Sequence, residues 1–173
     1  MTVSASALLT VLLAHPAWSD RALPASELEA SLRPVAEAIA LAAHTPVEAA
    51  ELLALGLHES HFAVTVVRDG CRGLPDSACD SGRARGPWQL HVEACRSAYM
   101  FPTGTPESLV AEARCAIAQL RFHGRRCRDH ALTPMIGAFA GYSGAGCHWP
   151  GASERVLTTR RMAAELAKAE AAS

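Results

Sequence analysis

Glu59 stands between His58 and His61 at the end of an apolar run, "LALGLHESHF" (residues 53–62). A carboxyl group in that setting can transfer a proton, ligate a metal, or simply end a helix at the surface. Burial against leucines and the partial negative charge of a helix C-terminus both favour the protonated form, the state a general acid needs. Glu59 is therefore the expected general acid/base. The metal alternative starts from His58 and His61, which share a helix face at a spacing of three. Zinc hydrolases of the H-E-x-x-H type place their histidines four apart, so "HESH" misses that pattern by one residue. A third ligand would have to come from His91, His123, His130, His148 or an aspartate, and the sequence singles out none of them. A zinc hydrolase built on His58 and His61 is kept as the remoter alternative, and no cofactor is expected.

The elements that must position these residues are legible in the capping chemistry. "TPVE" puts Thr45 at an N-cap, Pro46 in the first turn and Glu48 three residues on, a complete capping box. The run from Pro46 to Glu59 is apolar on nearly every side, which predicts a central buried helix. Thr-Pro recurs at 105–106 and 133–134, each opening a segment of helical periodicity. "SELE" (residues 26–29) is a further capping-box match, with Pro34 interrupting and a helix restarting there to about His44. Residues 64–67 are β-branched and Asp69-Gly70 is a turn signal, so a hairpin strand is expected after the buried helix. Residues 68–86 read as a surface loop or irregular hairpin. Further helices are expected at about 90–100, 106–123, 134–142 and 153–170. The predicted fold class is mainly α (α+β), one helical domain over residues 1–173 with a small β-hairpin after the buried helix.

Bulk composition excludes several function classes. Half of the 173 residues are apolar and 19% are charged, which argues for a packed core. A net charge of −1 provides no bulk attraction for nucleic acid or a membrane surface. The six cysteines all lie beyond Glu59 and none is in a C-x-x-C pair, so zinc ribbons and thioredoxin-like chemistry lack their signature. An even, dispersed set is read as up to three disulfides and an oxidising compartment, with Cys71–Cys79 and Cys127–Cys147 as the expected pairs. "ALLTVLLA" (residues 7–14), within the first 25 residues, reads either as the apolar part of a signal sequence or as a first helix of the fold, and the second is preferred. No apolar run reaches membrane-spanning length.

Three segments in order resemble the lytic transglycosylases and the related goose-type lysozymes. "ESHF" (residues 59–62) is similar to their E-S-x-F motif, which ends a buried helix with the catalytic glutamate. "GRARGPWQLH" (residues 82–91) resembles G-x-x-G-x-x-Q-[LMI], with Gly86 and Gln89 at the matching positions. "AFAGYSGAG" (residues 138–146) is similar to A-x-Y-N-x-G, with Tyr142 as the tyrosine. With the apolar run that leads into Glu59, they span residues 53–146. Ser143 replaces the usual Asn, Trp88 stands where an aliphatic residue is common, and the cysteine-flanked segment at 71–79 is unfamiliar.

The resemblance implies a lysozyme-like domain that cuts the β-1,4 bond between N-acetylmuramic acid and N-acetylglucosamine in peptidoglycan glycan strands. Glu59 would protonate the departing oxygen, then serve as base toward the muramic 6-hydroxyl, giving an anhydro product. Ser60 and Gln89 would hydrogen-bond sugar or scaffold groups, Tyr142 would orient Glu59, and Ser143 would meet substrate. Trp88 and Tyr99 either line a sugar groove or serve as core residues. If water attacks instead, an inverting hydrolase needs a second carboxylate about 6.5–9.5 Å away. Asp69, Asp76 and Asp80 are the nearby candidates, Asp80 preferred for its place beside a disulfide cysteine. The main alternative is a catalytically inactive lysozyme-like scaffold that binds peptidoglycan or serves a larger assembly. An extracellular, periplasmic or phage-virion location fits the activity, with a phage particle or secretion machine as partner. Trp149 is expected to pack in a loop, and "RRCR" (residues 125–128) to be a solvated helix end, with contact to a carboxylate of the glycan's peptide as the lesser alternative.

Overall fold

The structure, a computed structural model, describes residues 3–71, 79–144 and 146–173. Among the described residues are eight α-helices: α1 (Ala5–Ala14), α2 (Ala25–Ala42), α3 (Pro46–Glu59), α4 (Val64–Asp69), α5 (Cys79–Gly82), α6 (Pro106–Arg126), α7 (Pro134–Tyr142) and α8 (Gly151–Ala172). A two-stranded antiparallel sheet, β1 (Ala84–Arg85) and β2 (Leu90–His91), lies between α5 and α6. The expected mainly helical class with a small β element is what the chain adopts.

All three Thr-Pro helix starts form as expected. The hydroxyls of Thr45, Thr105 and Thr133 each accept an N–H three residues on, from Glu48, Ser108 and Ile136, at 3.2 Å. Each such cap contributes about 1 kcal/mol. Glu48 reaches back to accept the His44 N–H at 2.7 Å, completing the reciprocal arrangement one residue early. The middle of α3 is sealed: Ala49, Ala50, Leu52, Leu53, Ala54 and Leu55 are buried against α8, α6 and α2. Apolar residues 7–14 form α1, whose Leu8 and Leu12 enter the same core and pack on α2 and α8.

Several sequence expectations are corrected. Residues 64–67 are helical, not a strand. The Ala63 carbonyl accepts the N–H groups of both Val66 and Val67, and Asp20 accepts the Val64 N–H at 2.8 Å from a distant turn. Val64 and Val67 are buried at a spacing of three, and Gly70 ends the helix with a φ of 57°. Tertiary capping has overridden β-propensity here. The hairpin instead pairs Ala84 with His91 and Arg85 with Leu90 around the "GPWQ" turn.

Residues 90–100 are not a helix but strand, turns and a 3-10 segment (Ala98–Met100). Their carbonyls are taken elsewhere: Arg85 donates to Ala98 and Phe101, and Tyr99 donates to Leu90 at 2.7 Å. Finally, α2 starts at Ala25 and runs unbroken through Pro34. Ala30, whose carbonyl loses its donor to Pro34, is on the exposed side of the helix, where water can replace it.

Three disulfides form: the expected Cys71–Cys79 and Cys127–Cys147, and Cys95–Cys115, which ties the turn after β2 to α6. They indicate an oxidising environment. Among the described residues no helix is long and apolar enough to cross a membrane.

Candidate active site

Glu59 is the last residue of α3, and its side chain faces a cleft of about 370 Å³ lined also by Asp80, Gln89, His91, Tyr142, Ser143 and Arg155. Five of these residues, Asp80, Gln89, His91, Tyr142 and Ser143, also line an adjoining hollow of about 440 Å³ that continues toward Gln119 and His123. The two hollows meet at these five shared residues, and Glu59 and Arg155 line the first of them.

The carboxyl group is not the unpartnered buried acid that the sequence suggests. Its side chain keeps 20% exposure, and Arg155 Nη1 of α8 donates to Oε1 at 2.5 Å. Among the described residues nothing donates to Oε2, so that oxygen is available to a ligand in the cleft. Arg155 is itself 7% exposed, stacks its guanidinium on Trp149 at 4.7 Å, and leaves its Nε without a partner. One residue earlier in α3, His58 Nε2 is 3.0 Å from Thr158 Oγ1 of α8. Burial, and then the nearby Arg155 charge, pushes the His58 imidazole below its usual pKa, toward the neutral form. The end of α3 is thus fixed to α8 twice, through His58 and through Glu59.

The hairpin turn is held over this helix end by side chains that take its carbonyls. Ser60 Oγ donates to Pro87 O at 2.8 Å and accepts the Phe62 N–H at 3.1 Å. Tyr142 OH donates to Trp88 O at 2.7 Å, and Gln89 Nε2 donates to Gly86 O at 3.0 Å. Trp88 is fully buried, with its indole N–H donating to Leu52 O of α3 at 3.0 Å and its ring edge-on to Phe62. Burial, then the negative charge of Glu59, pushes the Tyr142 phenol well above the usual tyrosine range, so it remains a hydrogen-bond donor. Tyr142→Phe is expected to strand the Trp88 carbonyl and cost about 1–3 kcal/mol. Urea denaturation checks this; an unchanged midpoint would mean the phenol does not hold the turn.

Beneath the turn lies a residue that the sequence reading missed. Glu112 of α6 is 0% exposed, and its Oε1 accepts from Arg85 Nε at 3.1 Å and from Ser108 Oγ at 2.7 Å. Its Oε2 has no partner and lies directly under Gly86, where a Cβ would collide with it. Gly86 also holds a φ of 69°, so only glycine suits the position. Burial pushes the Glu112 carboxyl above its ordinary 4.5, outweighing the Ser108 hydrogen bond and the Arg85 charge.

The folded protein therefore keeps this proton at pH values where the unfolded chain has released it. Across that window the native state binds more protons, so stability falls as pH rises from 4.5 to the raised folded value. Glu112→Gln is expected to flatten this decline. Melts from about pH 4 to about pH 8 test it, and parallel curves for the two proteins would rule it out. The available signal was a carboxylate on the apolar face of α6, between Leu109 and Ala113. Arg155 carried the same kind of signal, beside Ala152, Val156 and Thr159 on the buried face of α8.

The remaining predicted residues divide clearly. Glu59, Gln89, Tyr142, Ser143 and Asp80 come together in the cleft. Ser60 serves the scaffold, and Trp88 is core rather than a sugar platform. Tyr142 holds the hairpin turn, while the direct bond to Glu59 comes from Arg155. Asp80 is exposed and contacts Arg83 at 3.0 Å and His91 at 3.4 Å. Asp69 ends α4 and does not line the cleft; Asp76 lies outside the described residues. His58 and His61 face a different hollow, with His15 and Arg161. Among the described residues no three His, Cys, Asp or Glu side chains are grouped to hold a metal ion.

No family model, no curated protein and no solved structure matches this chain.

Proposed function

We propose that this protein is a peptidoglycan-cleaving glycosidase, with Glu59 as general acid/base on the bond between N-acetylmuramic acid and N-acetylglucosamine. The observation that carries this reading is the position of Glu59. Arg155 fixes Oε1, leaving Oε2 without a protein partner in a cleft that Gln89, Tyr142 and Ser143 also line. A proton on Oε2 would pass to the departing glycosidic oxygen. The resulting carboxylate would then take a proton from the muramic 6-hydroxyl, closing the anhydro ring of a lytic transglycosylase product. Gln89 and Ser143 would contact the glycan, and the adjoining hollow would take further sugars of the strand. The location that suits this activity is extracellular, periplasmic or virion-associated, consistent with three disulfides. A phage particle or secretion machine is the corresponding partner.

Digestion of purified peptidoglycan, with products read by mass spectrometry, tests the proposal. Anhydro-muropeptides support the transglycosylase. Reducing-end products would instead make it a lysozyme and point to Asp80 for the water-activating role, the one candidate second carboxylate among the described residues that lines the cleft.

One observation favours a second reading, a non-catalytic wall-binding or structural component. The Arg155 pair gives Glu59 a structural role, because an ion-paired carboxylate at a helix end needs no catalysis to account for it. Intact glycan strands after prolonged digestion would establish that reading.

A further inference from the structure

A separate hollow of about 620 Å³ lies among α3, α6, α7 and α8 and shares no lining residue with the cleft. Its volume is in the range of small-ligand sites. Leu120, Met135, Ala138 and Val156 make its walls apolar, and four arginines, Arg121, Arg125, Arg128 and Arg160, surround them. Arg121 is paired with Glu48. Arg125, Arg128 and Arg160 are exposed and make no ion pair among the described residues. Three unpaired guanidinium groups around one hollow are a marked local excess in a chain of net charge −1. One acid, Glu51 of α3, also lines the hollow; it has no hydrogen-bond or salt-bridge partner among the described residues, and burial pushes its carboxyl above the usual range.

Carboxylates suit the arginines, since the planar guanidinium fork pairs with them in bidentate fashion. Small apolar groups suit the walls. The unpartnered Glu51 calls for a single cation. A purely anionic ligand would leave Glu51 opposed, and a purely apolar one would leave three arginines unused. A short peptide with several carboxylates, methyl side chains and one free ammonium satisfies all three.

We propose that this hollow binds the acidic stem peptide of the wall polymer, with its carboxylates at Arg125, Arg128 and Arg160 and its ammonium at Glu51. The choice of that peptide rests on the glycosidase reading; the chemistry of the ligand rests on the hollow alone.

The probe is the stem tetrapeptide N-acetyl-L-Ala–D-isoglutamate–meso-diaminopimelate–D-Ala, whose one free amine is on the diaminopimelate, titrated calorimetrically into the full chain. It contains no glycosidic bond, so binding is read independently of cleavage. Saturable binding is expected, weakened about tenfold or more in a variant carrying Arg125→Gln, Arg128→Gln and Arg160→Gln. These side chains are exposed, so the variant's melting curve should match wild type. Glu51→Gln should weaken binding of this tetrapeptide but not of the form acetylated at the diaminopimelate amine as well. Absence of saturable binding at millimolar peptide, or equal binding by the triple variant, would overturn the proposal. Citrate binding as tightly as the peptide would also overturn it, reducing the hollow to a general anion site. Peptide binding by a protein that does not cut glycan strands would instead sink the glycosidase reading and leave this assignment standing.

Discussion

Glu59→Gln is expected to reduce glycan cleavage by about 10²–10⁴-fold, the range that general acid–base groups contribute. The amide keeps the size of the side chain and an oxygen that can still accept from Arg155, but it cannot deliver a proton to the leaving group. Its effect on folding should be much smaller than its effect on rate. The carboxylate it replaces is partly exposed, and Arg155 retains its stacking on Trp149. Muropeptide release and a melting curve, measured on the same preparation, separate the two effects. Equal cleavage by variant and wild type would show that the Glu59–Arg155 pair only secures the α3–α8 contact. Loss of cleavage together with loss of the folded state would leave catalysis undecided, and Glu59→Asp would then discriminate: it keeps the charge but withdraws the acid from the glycosidic oxygen.

Arg85→Met should produce the largest loss of stability, about 3–5 kcal/mol, because it leaves Glu112 buried without its cation. Arg85 also supplies donors to the carbonyls of Ala98 and Phe101 and to Ser108 Oγ, so three further acceptors lose a partner. In a domain of this size the melting temperature should fall by roughly 6–20 °C. The double variant Arg85→Met, Glu112→Leu should regain much of that loss, since replacing both partners of a buried pair by apolar groups is often neutral. If Arg85→Met melts with wild type, the network under the hairpin is not what fixes the turn. A large single loss with no recovery in the double variant would trace the cost to the carbonyls rather than to Glu112.

The cleft depends on that network because each of its parts is short. The two strands pair over only two residues each, too little to hold a register unaided. Register comes instead from Trp88 bonded to Leu52, Tyr142 bonded to Trp88, Ser60 bonded to Pro87, and Arg85 set on Glu112. Gln89 enters the cleft with a φ of 48°, a conformation stable only where the surrounding turn imposes it.

Local chemistry was enough to determine the Thr-Pro helix starts, the sealed run of α3, the mainly helical class and two of the disulfide pairs. Caps, 3.6-residue periodicity and turn residues act within a few positions of one another, so the sequence alone displays them. The resemblance also pointed to Glu59, Gln89 and Tyr142, which line one cleft, and of the alternatives open for Ser60 and Trp88 the fold takes the scaffold and core ones. Tertiary structure decided the rest. Residues 64–67 became helix because Asp20, 44 positions before Val64, caps them. Residues 90–100 failed to become helix because Arg85, Tyr99 and Cys115 claim their backbone or side chains. Glu59 gained Arg155 from 96 residues away, and Gly86 gained Glu112 beneath it. Each of these outcomes depends on a polar partner that only chain folding brings within hydrogen-bond range, and at that range it outweighs the local preference of a few residues.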